Sequence, residues 1–183
     1  VSKALGMIQA AKRPVLIVGH GVRLAGAEAA IVDLINVLGI PVVTSWTAAD
    51  MVADNPIHIG HCGIFGDWAS NFAVQNADVL LVIGCRLSVP QMGYRADLFA
   101  RGAQIIMVDV DDMEINKPSL NIALPIVADA GEFIREALFA ITTTWAIRPL
   151  EFFNWLERCL GWKAKYPVVL PEYAAVENGI NSY

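Results

Sequence analysis

A three-layer α/β/α domain built on a six-stranded parallel sheet is the fold class this sequence predicts, and three observations carry it. The strand candidates are short, unbroken apolar runs rather than alternations of apolar and polar residues, the pattern of strands covered on both faces. Segments of helical periodicity separate them. Glycines close or follow the runs, at Gly19, Gly39 and Gly84, where the chain has to turn or cap.

The elements follow in chain order. Leu5, Ile8 and the residues to Ala11 suggest a short amphipathic helix that ends before Arg13-Pro14, because the residue preceding a proline disfavours helix. VLIVG is a buried strand closing on the glycine turn Gly19-His20-Gly21. From Ala25 to Leu38 the apolar positions Ala29, Ala30, Val32, Leu34, Ile35 and Leu38 recur at helical spacing, and Gly39 stands where a C-cap needs a left-handed residue. Ile40 to Thr44 completes a βαβ unit.

A short third strand is predicted at Ile57 to Gly60, then a loop through Cys62-Gly63-Ile64-Phe65-Gly66, then a helix over about Asp67 to Gln75. VLLVIG from Val79 is the clearest strand, followed by QIIMVDV from Gln104 and a last strand at Leu124 to Val127. After Ala130 a helix carries Phe133, Ile134, Ala137, Leu138 and Ile141 on one face. An aromatic helix with Phe152, Phe153, Trp155, Leu156 and Leu160 runs to Lys165, and residues 166–183, with two prolines and no period, look like an extended linker. The organisation expected is a nucleotide-binding-like unit over residues 1–141 and a helix with linker over 142–183.

Composition narrows the class. The chain has 183 residues, 56% of them apolar and 17% charged, against about 45–50% and 25% in ordinary soluble domains. Disorder is excluded by that apolar content, and no apolar run approaches the roughly 20 residues of a membrane span. The surplus predicts that some surface meets another protein surface, which would include the aromatic helix and linker if the chain is one domain of several. Net charge is −5 with scattered Lys and Arg, so nucleic acid is excluded as a partner. Cys62, Cys85 and Cys159 lie far apart with no CxxC pair, which fits buried thiols in a reducing, cytoplasmic setting. A first residue that is Val1 and an end at Tyr183 without tail-like composition suggest a piece of a longer protein.

In a parallel sheet of this kind ligands bind at the carboxyl ends of the strands. The candidates are therefore Gly19, His20 and Gly21, Ser45, Trp46 and Thr47, Gly84, Cys85 and Arg86, Asp109, Val110 and Asp111, and Asp129. Gly19 and Gly21 let backbone approach a diphosphate, or make a plain turn, and their spacing to Gly26 is not the dinucleotide fingerprint. Arg86 suits a phosphate or carboxylate, or a structural ion pair. Asp109 suits ribose hydroxyls, or a cap before Asp111 and Asp112. His20, His58 and His61 have poor metal-ligand spacing, and Ser45 and Ser88 lack a nucleophile elbow.

Five collinear segments add a resemblance: RPVLIVGHGVRLAGA from Arg13, GIPVVTSW from Gly39, GHCGIFGDWASNFAVQNADVLLVIGCRLS from Gly60, IIMVDVDDMEINK from Ile105 and LPIVADAGEFIREAL from Leu124. The series, over roughly Lys12 to Leu138, resembles the Rossmann-like central domain of thiamine-diphosphate-dependent enzymes, nearest the acetolactate synthase branch. The resemblance implies a middle domain that binds FAD or ADP between two flanking domains of the same chain, which hold thiamine diphosphate, Mg²⁺ and substrate, in an enzyme that is a homo-oligomer. It assigns to the nucleotide Gly19 and Gly21 at the phosphates with His20 between them, Ser45 and Trp46, Cys62, Gly63 and Ile64, Gly84 to Arg86, Asp109 and Val110 on the adenosine side, and Asp129 with Ala130. The activating glutamate and the GDG…N metal motif of such enzymes belong to the flanking domains, so this chain by itself is expected to be non-catalytic. Two departures stand out. Leu87-Ser88-Val89-Pro90 replaces the acidic pair and second arginine of flavin-binding relatives, and Ile64-Phe65-Gly66 replaces Met-His-Gly. A non-catalytic assembly module with a vestigial pocket is the rival reading.

Overall fold

The computed structural model describes residues 1–144 and 152–170. Its centre is a six-stranded, all-parallel sheet of β1 (Pro14–Val18), β2 (Val42–Thr44), β3 (His58–His61), β4 (Val79–Ile83), β5 (Gln104–Asp109) and β6 (Ile122–Val127), in the order β3-β2-β1-β4-β5-β6. The chain moves outward from β1 to β3, then returns to place β4 on the other side of β1. That reversal leaves a crevice at the carboxyl ends of β1 and β4.

The apolar runs work as expected in the centre of the sheet. Along β1, Leu16 and Val18 enter one core while Val15 and Ile17 enter the other, and β4 divides the same way between Leu81 with Ile83 and Leu80 with Val82. The period of two along a strand sends half of each run to either face, so both faces need a helical cover. One cover consists of α1 (Ser2–Ala10), α3 (Glu28–Leu38) and α7 (Ala130–Thr143). The other has α4 (Trp68–Asn76) and α8 (Phe153–Lys165), with the short α6 (Asp112–Ile115) toward β5 and β6. Gly39 ends α3 in the left-handed region at φ 62°, as predicted. Asp67 and Asp129 are the N-cap residues of α4 and α7.

Three expectations are corrected. The helix read as Ala25 to Leu38 begins only at Glu28, as α3, because the chain passes through the left-handed region at Gly26, φ 61°, and a separate short helix, α2 (Gly21–Leu24), precedes it. The strand β6 is not covered on both faces: its exposure alternates, with Val127 57% exposed. It is an edge strand, and Ala123, Pro125 and Val127 lack the helical cover that α7 gives Leu124 and Ile126. The proline suits that place, since an edge tolerates a missing N–H. The aromatic helix, expected to face outward, is largely turned in. Phe152 and Trp155 are 2% and 5% exposed, and the Trp155 indole donates to Pro14 O at 3.0 Å, leaving only Phe153 of the three at the surface.

The sequence also concealed two short elements after β4, the helix α5 (Val89–Met92) and a 3-10 turn at Ala96–Leu98. All three thiols are buried. The expected linker lies outside the described residues beyond position 170, as does the stretch 145–151. No helix among the described residues is long and apolar enough to cross a membrane.

Candidate functional site

A cavity of about 530 Å³ occupies the crevice at the carboxyl edge, within the size range of small-molecule sites. Its floor is made where two glycine turns meet. A Cβ on Gly19 would stand 2.1 Å from Gly84 O, and one on Gly21 would stand 2.7 Å from Gly84 Cα. Gly84 itself has φ 59°. Only glycine lets these two loops touch. The contact consumes donors, because Gly19 N–H donates to Ile83 O and Gly21 N–H to Gly84 O, each at 2.9 Å.

One wall comes from the loop after β2. His20 Nδ1 lies 3.0 Å from Thr47 O, and Arg23 reaches Asp50 at 2.7 Å. These contacts tie the β1 and β2 loops together and leave Trp46 half-exposed over the cavity, beside Phe65 at 5.0 Å between ring centres. Ser45 is buried beneath it.

The opposite wall follows β4 and β5. Asp109 ends β5 and lines the cavity, and its Oδ1 accepts the Asp111 N–H at 3.1 Å. Arg86 is largely exposed and sits 3.8 Å from Glu114. Lys117 reaches the same place from below: its Nζ donates to Arg86 O, to Leu87 O at 3.1 Å and to Glu114 Oε2 at 3.1 Å. It thereby holds Leu87, a buried non-glycine residue at φ 49°, in a conformation L-residues adopt at a cost.

Of the residues predicted for the site, the cavity gathers His20 and Gly21, Ser45, Trp46 and Thr47, Cys62, then Gly84, Cys85 and Arg86, and finally Asp109, Val110 and Asp111. Gly19 lies under the floor. Gly63 and Ile64 line a separate, smaller depression of about 210 Å³ beside Met92. Asp129 accepts from Glu132 N as the cap of α7, and Ala130 is buried in the core. Burial pushes the Cys62 and Cys85 thiols upward, with Gln91 Nε2 donating to Cys85 Sγ. Both stay protonated at neutral pH, so neither is a nucleophile. A shallower depression of about 690 Å³ lies at the opposite edge of the sheet, between α1 and Gln104, away from the strands' carboxyl ends.

The family model described as thiamine pyrophosphate enzyme, central domain, matches residues 1–137. The chain belongs to that family. Within it, a probable acetolactate synthase large subunit of Methanococcus aeolicus is 37% identical over 139 residues, 75% of this chain and 23% of the relative. Its counterpart in Methanocaldococcus jannaschii is 36% identical over 159 residues, 86% of this chain and 26% of the relative. The acetolactate synthase large subunit of Pyropia yezoensis is 31% identical over 169 residues, 92% of this chain and 28% of the relative. The chain thus spans about a quarter of the length of the curated relatives it matches.

Three lining or supporting residues of this central domain escaped the sequence reading. Gln91 had a signal: Ser88-Val-Pro-Gln91 is a capping box with proline in the first turn, and the box is formed in α5. Glu114 and Lys117 stand at the i,i+3 spacing of a pair, but nothing local shows that they also reach carbonyls and a guanidinium on a loop about thirty positions earlier.

Proposed function

We propose that this chain is the central domain of a thiamine-diphosphate-dependent enzyme of acetolactate synthase type, a transferase or lyase that decarboxylates a 2-keto acid and transfers the activated carbon fragment. The relatives' names support that reading. In it, residues 1–141 form the nucleotide-binding-like unit, and residues 142–183 carry the last helix and a linker toward a carboxyl-terminal domain. Thiamine diphosphate and Mg²⁺ belong to the flanking domains, so the chain alone does not catalyse; the whole enzyme is a cytoplasmic homo-oligomer.

The part assigned to this chain is to bind an adenine nucleotide, FAD or an ADP-like molecule. The observation that carries it is the cavity at the β1/β4 reversal, with Asp109 beside it and Trp46 over it. The residues suit such a group: one Asp109 oxygen can accept from a ribose hydroxyl, and Trp46 offers a face for a planar ring. Titration of the chain with FAD and ADP, followed by fluorescence and calorimetry, tests it. Saturable binding is expected, and no binding of either at millimolar ligand would refute it. The second reading, an assembly module with a vestigial pocket, draws on the glycine amides already bonded to Ile83 and Gly84. Absence of binding together with unimpaired assembly of the whole enzyme would favour it.

A further inference from the structure

We infer that the outer edge of β6 is a pairing surface for β6 of a second copy of this chain, and that Pro125 holds it shut.

The two edges of the sheet are finished differently. Val42 N–H donates to Ile57 O and Cys62 N–H to Thr44 O, which turns the backbone groups of His58 and His61 away from β2. Those outward groups have partners. Lys163 Nζ donates to His58 O at 2.6 Å, and the His58 N–H donates to Asn55 O at 3.0 Å. At His61 the N–H donates to Asp67 Oδ2 at 3.0 Å, and the carbonyl accepts the Asp67 N–H at 2.9 Å.

The β6 edge is bare by comparison. Ala128 N–H donates to Asp109 O at 3.0 Å, and Asp109 is paired with Val127. In a parallel ladder that bond turns the backbone groups of Ile126 and Ala128 toward β5 and those of Pro125 and Val127 outward. Among the described residues β6 pairs with β5 alone.

The composition of β6 makes such an edge adhesive. Ile122 to Ala128 reads Ile-Ala-Leu-Pro-Ile-Val-Ala, an apolar run without a charge, and Val127 is 57% exposed. Edges are blunted by charge, cover, a bulge or a proline. The register shift of this strand lies near its start, where Ile105 and Ile106 face Ile122 and Leu124. At the centre of the strand the proline is the device present.

Two copies related by a two-fold axis would overlap most with position 125 opposite itself and position 127 opposite 123. At such a centre two residues about 5.5 Å apart exchange both N–H···O bonds. Proline has no N–H, so both central bonds are lost and the two rings meet instead. One residue thus blocks the pairing twice.

Residue-resolved amide exchange and sedimentation of the chain, as it stands and as Pro125→Val, test the inference. In the parent the Val127 amide is expected to exchange about ten-fold faster than the Ile126 amide, at every protein concentration. Pro125→Val is expected to associate about ten-fold more tightly than the parent, with the amides at positions 125 and 127 slowing as concentration rises. Pro125→Ala supplies the same N–H with a smaller side chain, is expected to behave alike, and decides the matter if the valine variant does not fold. Position 127 also points outward, so Pro125→Val combined with Val127→Pro is expected to return association to the parent's level. Four results would each overturn the inference: a Val127 amide as slow as that of Ile126 in the parent, folded variants that associate no more than the parent, association that leaves the β6 amides unprotected, or a displaced proline that restores nothing.

Discussion

Lys117 is the support on which the Arg86 loop depends, and replacing it with methionine isolates that role. The substitution keeps most of the apolar stem and removes only the ammonium. Lost with it are the donations to Arg86 O, Leu87 O and Glu114. The Lys117 side chain is 16% exposed, so water replaces those bonds only in part. A hydrogen bond to a charged group contributes about 1.5–3 kcal/mol. The Leu87 backbone, at φ 49°, relaxes toward an ordinary conformation once released and returns about 1 kcal/mol. The expected net loss is about 2–4 kcal/mol, or a fall in Tm of about 4–16 °C for a chain of this size. Urea and thermal unfolding followed by circular dichroism measure it, with Lys117→Arg as a control that recovers part of the loss. A Lys117→Met protein that melts within 1 °C of the parent would refute the claim that this ammonium holds the loop.

Three further outcomes are expected. Gly19→Ala drives a methyl to 2.1 Å from Gly84 O and 2.4 Å from Cys85 Cβ; the overlap is with backbone, and the variant is expected to lose several kcal/mol or accumulate as insoluble protein, which solubility and melting measure. His58 is buried against Thr44, and burial, with the Lys163 ammonium nearby, lowers its pKa from the usual 6.5. The folded state therefore binds fewer protons than the unfolded one below that value, so stability is complete above about pH 6.5 and falls as pH drops through it; urea midpoints at pH 7.5 and 5.5 check this against His58→Phe, which should flatten the difference. The exposed Trp46, Phe65, Trp68, Leu24 and Met113 predict reversible self-association of the isolated chain, and a strict monomer in analytical ultracentrifugation at high concentration would count against it.

What the sequence made legible was whatever repeats along the chain. Strands such as VLLVI declare themselves because every residue is apolar, and Gly39 declares a helix end because its conformation excludes side chains. The carboxyl ends of those strands followed, and with them eleven of the cavity's residues. Illegible were features decided by distant partners. Gly19 and Gly21 read as room for a ligand, but the room is filled by Gly84. Trp155 read as an outward aromatic, yet its indole bonds to a carbonyl 141 positions away. The exposure of β6 depends on which strands end the sheet, which no local pattern encodes.

That last helix carries a consequence for how the molecule comes into being. Pro14 opens β1, which has two strands on one side and three on the other, so an inner strand of the sheet waits for a bond from one of the last elements of the chain. Residue 137, where the family match ends, precedes Trp155, Cys159 and the Lys163 contact to His58. A protein cut there would take Ile141 and Phe152 from the first core and leave the second helical layer unfinished, with Phe72 stripped of its neighbours Trp162 and Tyr166. On the ribosome the sheet can pair before α8 emerges, but the second core closes only when it has.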